Sequence, residues 1–117
     1  PDYAVTGVQT CALPICGHSE AVNVETRKPI TPDEVRALLA DAPGVVVIDD
    51  PSRNEYPTPV YSEGRDETYV GRIRTDISNP NAIEMWIVSD NLRKGAALNA
   101  VQIAEELLKR GLVKGAR

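Results

Sequence analysis

The clearest periodic signal in the chain lies near its end. Ala97, Val101, Ile103, Ala104, Leu107 and Leu108 recur at three- and four-residue steps, which predicts an amphipathic helix. Ser89, Asp90 and Asn91 offer capping oxygens before it, and Gly111 stands where a left-handed stop belongs. Residues 20–25 alternate apolar and polar positions, as a half-buried strand does. Thr31, Pro32 and Glu34 form the signature of a capped helix start. Val35, Leu38 and Leu39 are its expected buried stripe, and Pro43-Gly44 its stop. Residues 45–48 are continuously apolar and read as a buried strand, whereas the prolines of 49–64 predict a loop with little regular pairing.

Residues 67–75 alternate again. Strict alternation puts Tyr69, Gly71 and Ile73 on one side and Val70, Arg72 and Arg74 on the other. Residues 83–88 give a further strand, with Met85 and Ile87 opposite Trp86 and Val88. Asn79-Pro80-Asn81 turns the chain between the two, so they are expected to pair antiparallel. Helices and strands do not alternate strictly. The expected fold is therefore α+β, a mixed, largely antiparallel sheet with helices on one face.

Composition narrows the class. With 117 residues the chain holds one modest core, and with no Phe and one Trp that core must be mostly aliphatic. The formal charge of -4, with no basic stripe, argues against a nucleic-acid surface. No apolar run approaches the ~20 residues of a membrane-spanning helix, and no secretion signal is visible. The expected setting is cytoplasmic, without nucleic-acid or membrane partners. The chain begins Pro-Asp-Tyr, without Met, and reads as a fragment or a processed product.

Residues 5–15, VTGVQTCALPI, resemble the translation of a short-read sequencing adapter and are set aside from fold reasoning. Cys11 and Cys16 lie in or beside this stretch. Without a second Cys/His pair they lack a zinc ligand set, and no metal site is expected. Asp49, Asp50, Glu63, Arg65, Asp66 and Glu67 lack the order of a calcium loop and read as solvated charges. Arg93 and Lys94 read likewise. Arg72 and Arg74 either meet acidic groups across a subunit interface or form an exposed face. No Gly-rich phosphate loop follows a strand. His18 is the only histidine. Imidazole exchanges protons near neutral pH, but a lone histidine is more often a structural hydrogen-bonding residue. Asn91, similarly, reads first as a helix cap.

Two blocks change that weighting. GHSEAVNVE at 17–25 and DNLRKGAALNAVQIAEELLKRG at 90–111 resemble bacterial aspartate-semialdehyde dehydrogenases, as do Tyr56-Pro57-Thr58-Pro59 and Val70-Gly71-Arg72-Ile73-Arg74. The resemblance implies the second half of a glyceraldehyde-3-phosphate-dehydrogenase-like catalytic and dimerisation domain. It implies catalytic acid–base work for His18 and contact between Asn91 and the nicotinamide end of NADP. It implies aspartyl phosphate, aspartate semialdehyde and phosphate as substrates, and a homodimer or homotetramer. The family's dinucleotide-binding domain and its nucleophilic cysteine with a glutamine partner are expected upstream of this chain. Its substrate-binding arginine would stand at position 11, which is Cys11 here. The implied organisation is a truncated start at 1–16, a partial catalytic domain at 17–90, and a helix at 91–117 that packs on the cofactor domain. That helix would leave its apolar stripe partly exposed in this chain, favouring self-association. The implied fragment is inactive alone. Alternatives are an N-acetyl-glutamyl-phosphate reductase-like fragment and a non-catalytic interaction module.

Overall fold

The computed structural model describes residues 17–113; Cys11, Cys16 and the adapter-like stretch at 5–15 lie outside them. Four strands form one mixed sheet: β1 (Gly17–Glu25), β2 (Val45–Val47), β3 (Thr68–Thr75) and β4 (Ala82–Asp90), in the order β1-β4-β3-β2. β4 lies antiparallel between β1 and β3, and β2 runs parallel to β3 at the edge. The helices are α1 (Pro32–Ala40), the single turn α2 (Pro59–Ser62) and α3 (Leu98–Lys109). The expected α+β architecture and the β3–β4 hairpin are present.

Each sheet face has its own cover. On one, Val35 of α1 packs with Val70, Ile73 and Ile83, flanked by Leu39, Val45, Val47, Met85 and Ile87. On the other, residues 57–62 lie against Tyr69, Trp86 and β1. Tyr61 meets Tyr69 edge-on at 5.0 Å, and Trp86 Nε1 donates to the Pro57 carbonyl at 3.1 Å. Missing side chains make that approach close. A Cβ at Gly71 would lie 2.6 Å from the Pro57 side chain, and one at Gly17 2.5 Å from the Pro59 carbonyl oxygen.

Local signals are realised where they depend on neighbours in sequence. The Thr31 hydroxyl accepts from the Glu34 amide while Glu34 reaches back to the Thr31 amide, a complete capping box with Pro32 at the first turn. Gly111 adopts φ +66°. The Gly111 amide donates to the Leu108 carbonyl and the Leu112 amide to that of Leu107, a Schellman stop.

Four expectations are corrected. Leu38 does not belong to the buried stripe; it is 64% exposed, because α1 turns Val35 and Leu39 toward the sheet and leaves Leu38 on its outer side. The apolar run at 45–48 is an edge strand with Val46 exposed, not a fully buried one. The loop at 49–64 carries a 3₁₀ turn at Pro51–Arg53, an Asp50–Glu55 bridge and α2. In β3 the alternation breaks after Gly71. The pairing shifts between Gly71 and Arg74, with Arg72 at φ +52°. This bulge moves Ile73 to the same face as Val70, so Ile73 enters the core beneath α1. Arg72 stacks over Tyr56, and Arg74 pairs with Glu84 across the strands, within one chain.

Asp49 is the second surprise of the loop. Its side chain is 2% exposed and, far from being solvated, pairs with Arg36 at 2.8 Å. Asp49 Oδ2 also accepts from the Ile73 amide, while Arg36 donates to the Ile73 carbonyl and to Asp33. Helix, loop and bulge are thereby tied at one point.

The β3–β4 turn is held by Asp76. Its carboxylate accepts from the Ser78 hydroxyl and amide, from Asn23 of β1, and from the Asn79 amide. The Ser78 hydroxyl and amide, followed by Asn23 and Asn79, lower its pKa from 3.8 to about 2. A depressed carboxylate stabilises the fold fully above its unfolded pKa of ~3.9 and loses that contribution as pH falls through the folded value. The turn should therefore weaken between about pH 4 and pH 2. Urea titrations followed by circular dichroism across that window should show a flatter pH dependence in Asp76→Asn than in the parent chain.

Candidate active site

His18 is the second residue of β1. The Gly17–Pro59 approach fixes the start of that strand, and the pairing with β4 sets His18 opposite Ser89 and Glu20 opposite Ile87. Side chains of paired residues share a face, so His18, Glu20, Ile87 and Ser89 line one surface of the sheet. Ile87 flanks the core beneath α1, and His18, Glu20 and Ser89 continue that surface beside it.

The chain leaves β4 through Asp90, whose side chain shapes the turn into the terminal helix. Asp90 is 4% exposed. Its Oδ1 accepts from the Leu92 and Arg93 amides at 2.8 and 2.9 Å, and its Oδ2 accepts from the Gly64 amide at 2.9 Å. The Gly64 amide, then those of Arg93 and Leu92, hold this carboxyl below the usual carboxylate range against the opposing effect of burial. Asp90, not Asn91, therefore caps the terminal helical segment. A π-helical turn at Arg93–Ala97, closed by the Ala97 amide donating to the Leu92 carbonyl, precedes α3. Such turns are rare and recur at functional sites.

With capping assigned to Asp90, Asn91 faces a cleft. The cleft is about 310 Å³ and is lined by His18, Glu20, Ile87, Ser89, Asn91 and Gly95. Gly95 sits beside the Asn91 side chain; a Cβ there would lie 4.0 Å from Asn91 Oδ1. The two residues singled out from sequence thus border one space. His18 Nε2 lies 2.9 Å from Glu20 Oε1, with the two side chains 27% and 29% exposed. Solvent and a ligand can reach both.

Glu20, Ser89 and Gly95 were not singled out from sequence. Glu20 was legible, since residues two apart on a strand share a face. Ser89 and Gly95 required knowing that β1 pairs with β4. Arg93 and Lys94 engage neighbours and not the cleft, Arg93 bonding Asp66 at 2.5 Å and Lys94 the Gln102 amide oxygen at 2.6 Å. Among the described residues no group of three or more His, Cys, Asp or Glu could hold a metal ion.

α3 stands away from this floor. It has no buried residue, and Val101, Ile103 and Leu108 are each more than half exposed. No described helix is long and apolar enough to cross a membrane.

The mixed sheet thus presents a histidine and an amide in one open cleft, beside an uncovered helix. The chain belongs to the family of semialdehyde dehydrogenase dimerisation domains, whose model matches residues 5–94. It is 59% identical to an aspartate-semialdehyde dehydrogenase of Aquifex aeolicus over 97 residues, 83% of this chain and 28% of that protein. It is 57% identical to one of Legionella pneumophila over 101 residues, 86% of this chain and 29% of that protein. The crystal structure of aspartate semialdehyde dehydrogenase II from Vibrio cholerae superposes with a TM-score of 0.72 at 46% identity. That match covers 80% of this chain and 27% of the other. The chain therefore spans little more than a quarter of the relatives' length.

Proposed function

We propose that this chain is the C-terminal part of an NADP-dependent aspartate-semialdehyde dehydrogenase, with His18 as its acid–base group and Asn91 as a cofactor contact. The enzyme would interconvert aspartyl 4-phosphate and aspartate 4-semialdehyde in lysine, methionine and threonine synthesis. The observation that carries the reading is the shared cleft of His18 and Asn91. The names of the relatives favour it over N-acetyl-glutamyl-phosphate reductase.

In this reading a cysteine supplied by the rest of the enzyme attacks the aldehyde carbon. His18 takes the proton from the thiol, gives it to the oxygen of the hemithioacetal as the carbon–sulfur bond forms, and takes it back as hydride leaves the carbon. Phosphate then attacks the resulting thioester and the cysteine thiolate departs. NADP, when bound, supplies the hydride acceptor. The Asn91 amide fits its carboxamide end, because it offers both a donor and an acceptor and Gly95 leaves the space beside it open. Residues 17–90 form part of the catalytic and dimerisation domain of a cytoplasmic homodimer or homotetramer. The exposed apolar side of α3 packs on the cofactor-binding part.

The test is a chimera that joins residues 17–113 of this chain to the upstream portion of the Aquifex aeolicus relative. It should reduce NADP when given aspartate semialdehyde and phosphate, while the chain alone should not. Asn91→Ala in the chimera should raise the KM for NADP about tenfold, the worth of one lost hydrogen bond of ~1.4 kcal/mol. A folded, NADP-binding chimera without turnover overturns the proposal.

A further inference from the structure

We propose that Glu20 is a positioning residue for His18, fixing which ring nitrogen carries the proton and how the imidazole sits in the cleft. The inference rests on the acid–base reading of His18 but concerns a different side chain. Glu20 lies two residues after His18 on β1 and therefore projects from the same face. Its Oε1 is 2.9 Å from His18 Nε2, within the range of a charge-assisted hydrogen bond. Apart from His18, it is the sole ionisable side chain among the described residues that line the cleft.

The strand supplies the precision. Both residues are held in register by β4, His18 against Ser89 and Glu20 against Ile87, so their separation is set by backbone pairing and not by a mobile loop. A carboxylate only accepts hydrogen bonds. It therefore selects the neutral ring that carries its proton on Nε2, which leaves Nδ1 as the nitrogen able to take one. When Nδ1 is protonated, the same carboxylate faces the positive charge that develops, as the acid does behind the histidine of a hydrolytic triad. The general base is thus oriented by a second group from its own strand.

The experiment uses the 117-residue chain itself. Its single histidine makes imidazole nitrogen spectra unambiguous. Long-range proton–nitrogen correlation above the titration range of the ring should show one tautomer, with the proton on Nε2 protected from solvent exchange. Glu20→Ala should yield a mixture of tautomers and speed exchange of that proton about tenfold. Glu20→Gln should restore the parent pattern, because its amide oxygen still accepts. Backbone amide spectra of each variant separate a local change at the ring from loss of fold. If Glu20→Ala unfolds, the comparison of the parent with Glu20→Gln, and of both with Glu20→Leu, decides the matter. A parent ring already mixed between tautomers, or a ring unaltered in the folded Ala or Leu variant, overturns the proposal. None of these readings depends on turnover, so failure of the catalytic role of His18 would be detected separately in the chimera.

Discussion

Replacing His18 by alanine in the chimeric enzyme is expected to lower kcat by about 10²–10⁴-fold, the usual contribution of a positioned general acid–base group. The KM for the semialdehyde should move far less, because proton transfer matters only as the thiol attacks and the hydride departs. The loss should be large for a physical reason. A cysteine thiol is mostly protonated near neutral pH, and the hemithioacetal hydroxyl must lose its proton as hydride departs; among the described residues lining the cleft the only alternative to the imidazole is the Glu20 carboxylate, a weaker class of base. His18→Asn is the companion variant, since it keeps a polar group against Glu20 while removing proton exchange at this pH. Both should fold like the parent, because the His18 side chain is 27% exposed and lies outside the core cluster. Initial rates of NADP reduction measure the effect. A decrease of less than a few-fold would remove His18 from the mechanism, whatever the family likeness.

The largest effect on stability is expected at Asp49. Asp49→Ala should cost about 3 kcal/mol, the low end for breaking a buried ion pair, since Arg36 keeps 29% of its side chain in solvent. The substitution strands the Ile73 amide as well, removing the acceptor that holds the β3 bulge. With the bulge loosened, Ile73 is no longer held on the face it shares with Val70 and Val35. Asp49→Asn should cost less, because its amide oxygen can accept from Ile73 although the charge facing Arg36 is gone. Urea unfolding with a two-state fit reads both. A change for Asp49→Ala within ~0.5 kcal/mol, typical of ordinary surface substitutions, would show that the pair is dispensable.

Much of this molecule obeys rules that act over a few residues. The capping box at Thr31, the left-handed stop at Gly111 and the Asn79-Pro80-Asn81 turn are each fixed by backbone groups within one helical turn or one hairpin of the residue concerned. The sides taken by Met85, Ile87, Trp86 and Val88 reflect a period of two along an uninterrupted strand. The family likeness of the blocks at 17–25 and 90–111 also resides in the sequence itself, and it singled out His18 and Asn91 before any geometry.

What the sequence could not decide depended on partners distant along the chain. Leu38 satisfies helical periodicity, yet whether a periodic position is buried depends on how wide a surface the helix meets, and of the expected stripe only Val35 and Leu39 of α1 reach the core. Ile73 changes face because Asp49 and Arg36 hold a bulge, and no alternation rule foresees an unpaired residue stabilised from a loop and a helix. Asn91 is released from capping because Asp90 takes that task together with Gly64, a residue from the far loop. Above all, β1 pairs with β4, across α1, β2, α2 and β3. Hydrophobic periodicity is a local property that says which positions face inward, whereas the choice of pairing strand is settled by burial and hydrogen bonding across the whole fold. That choice sets the histidine of one block and the amide of the other on the same cleft.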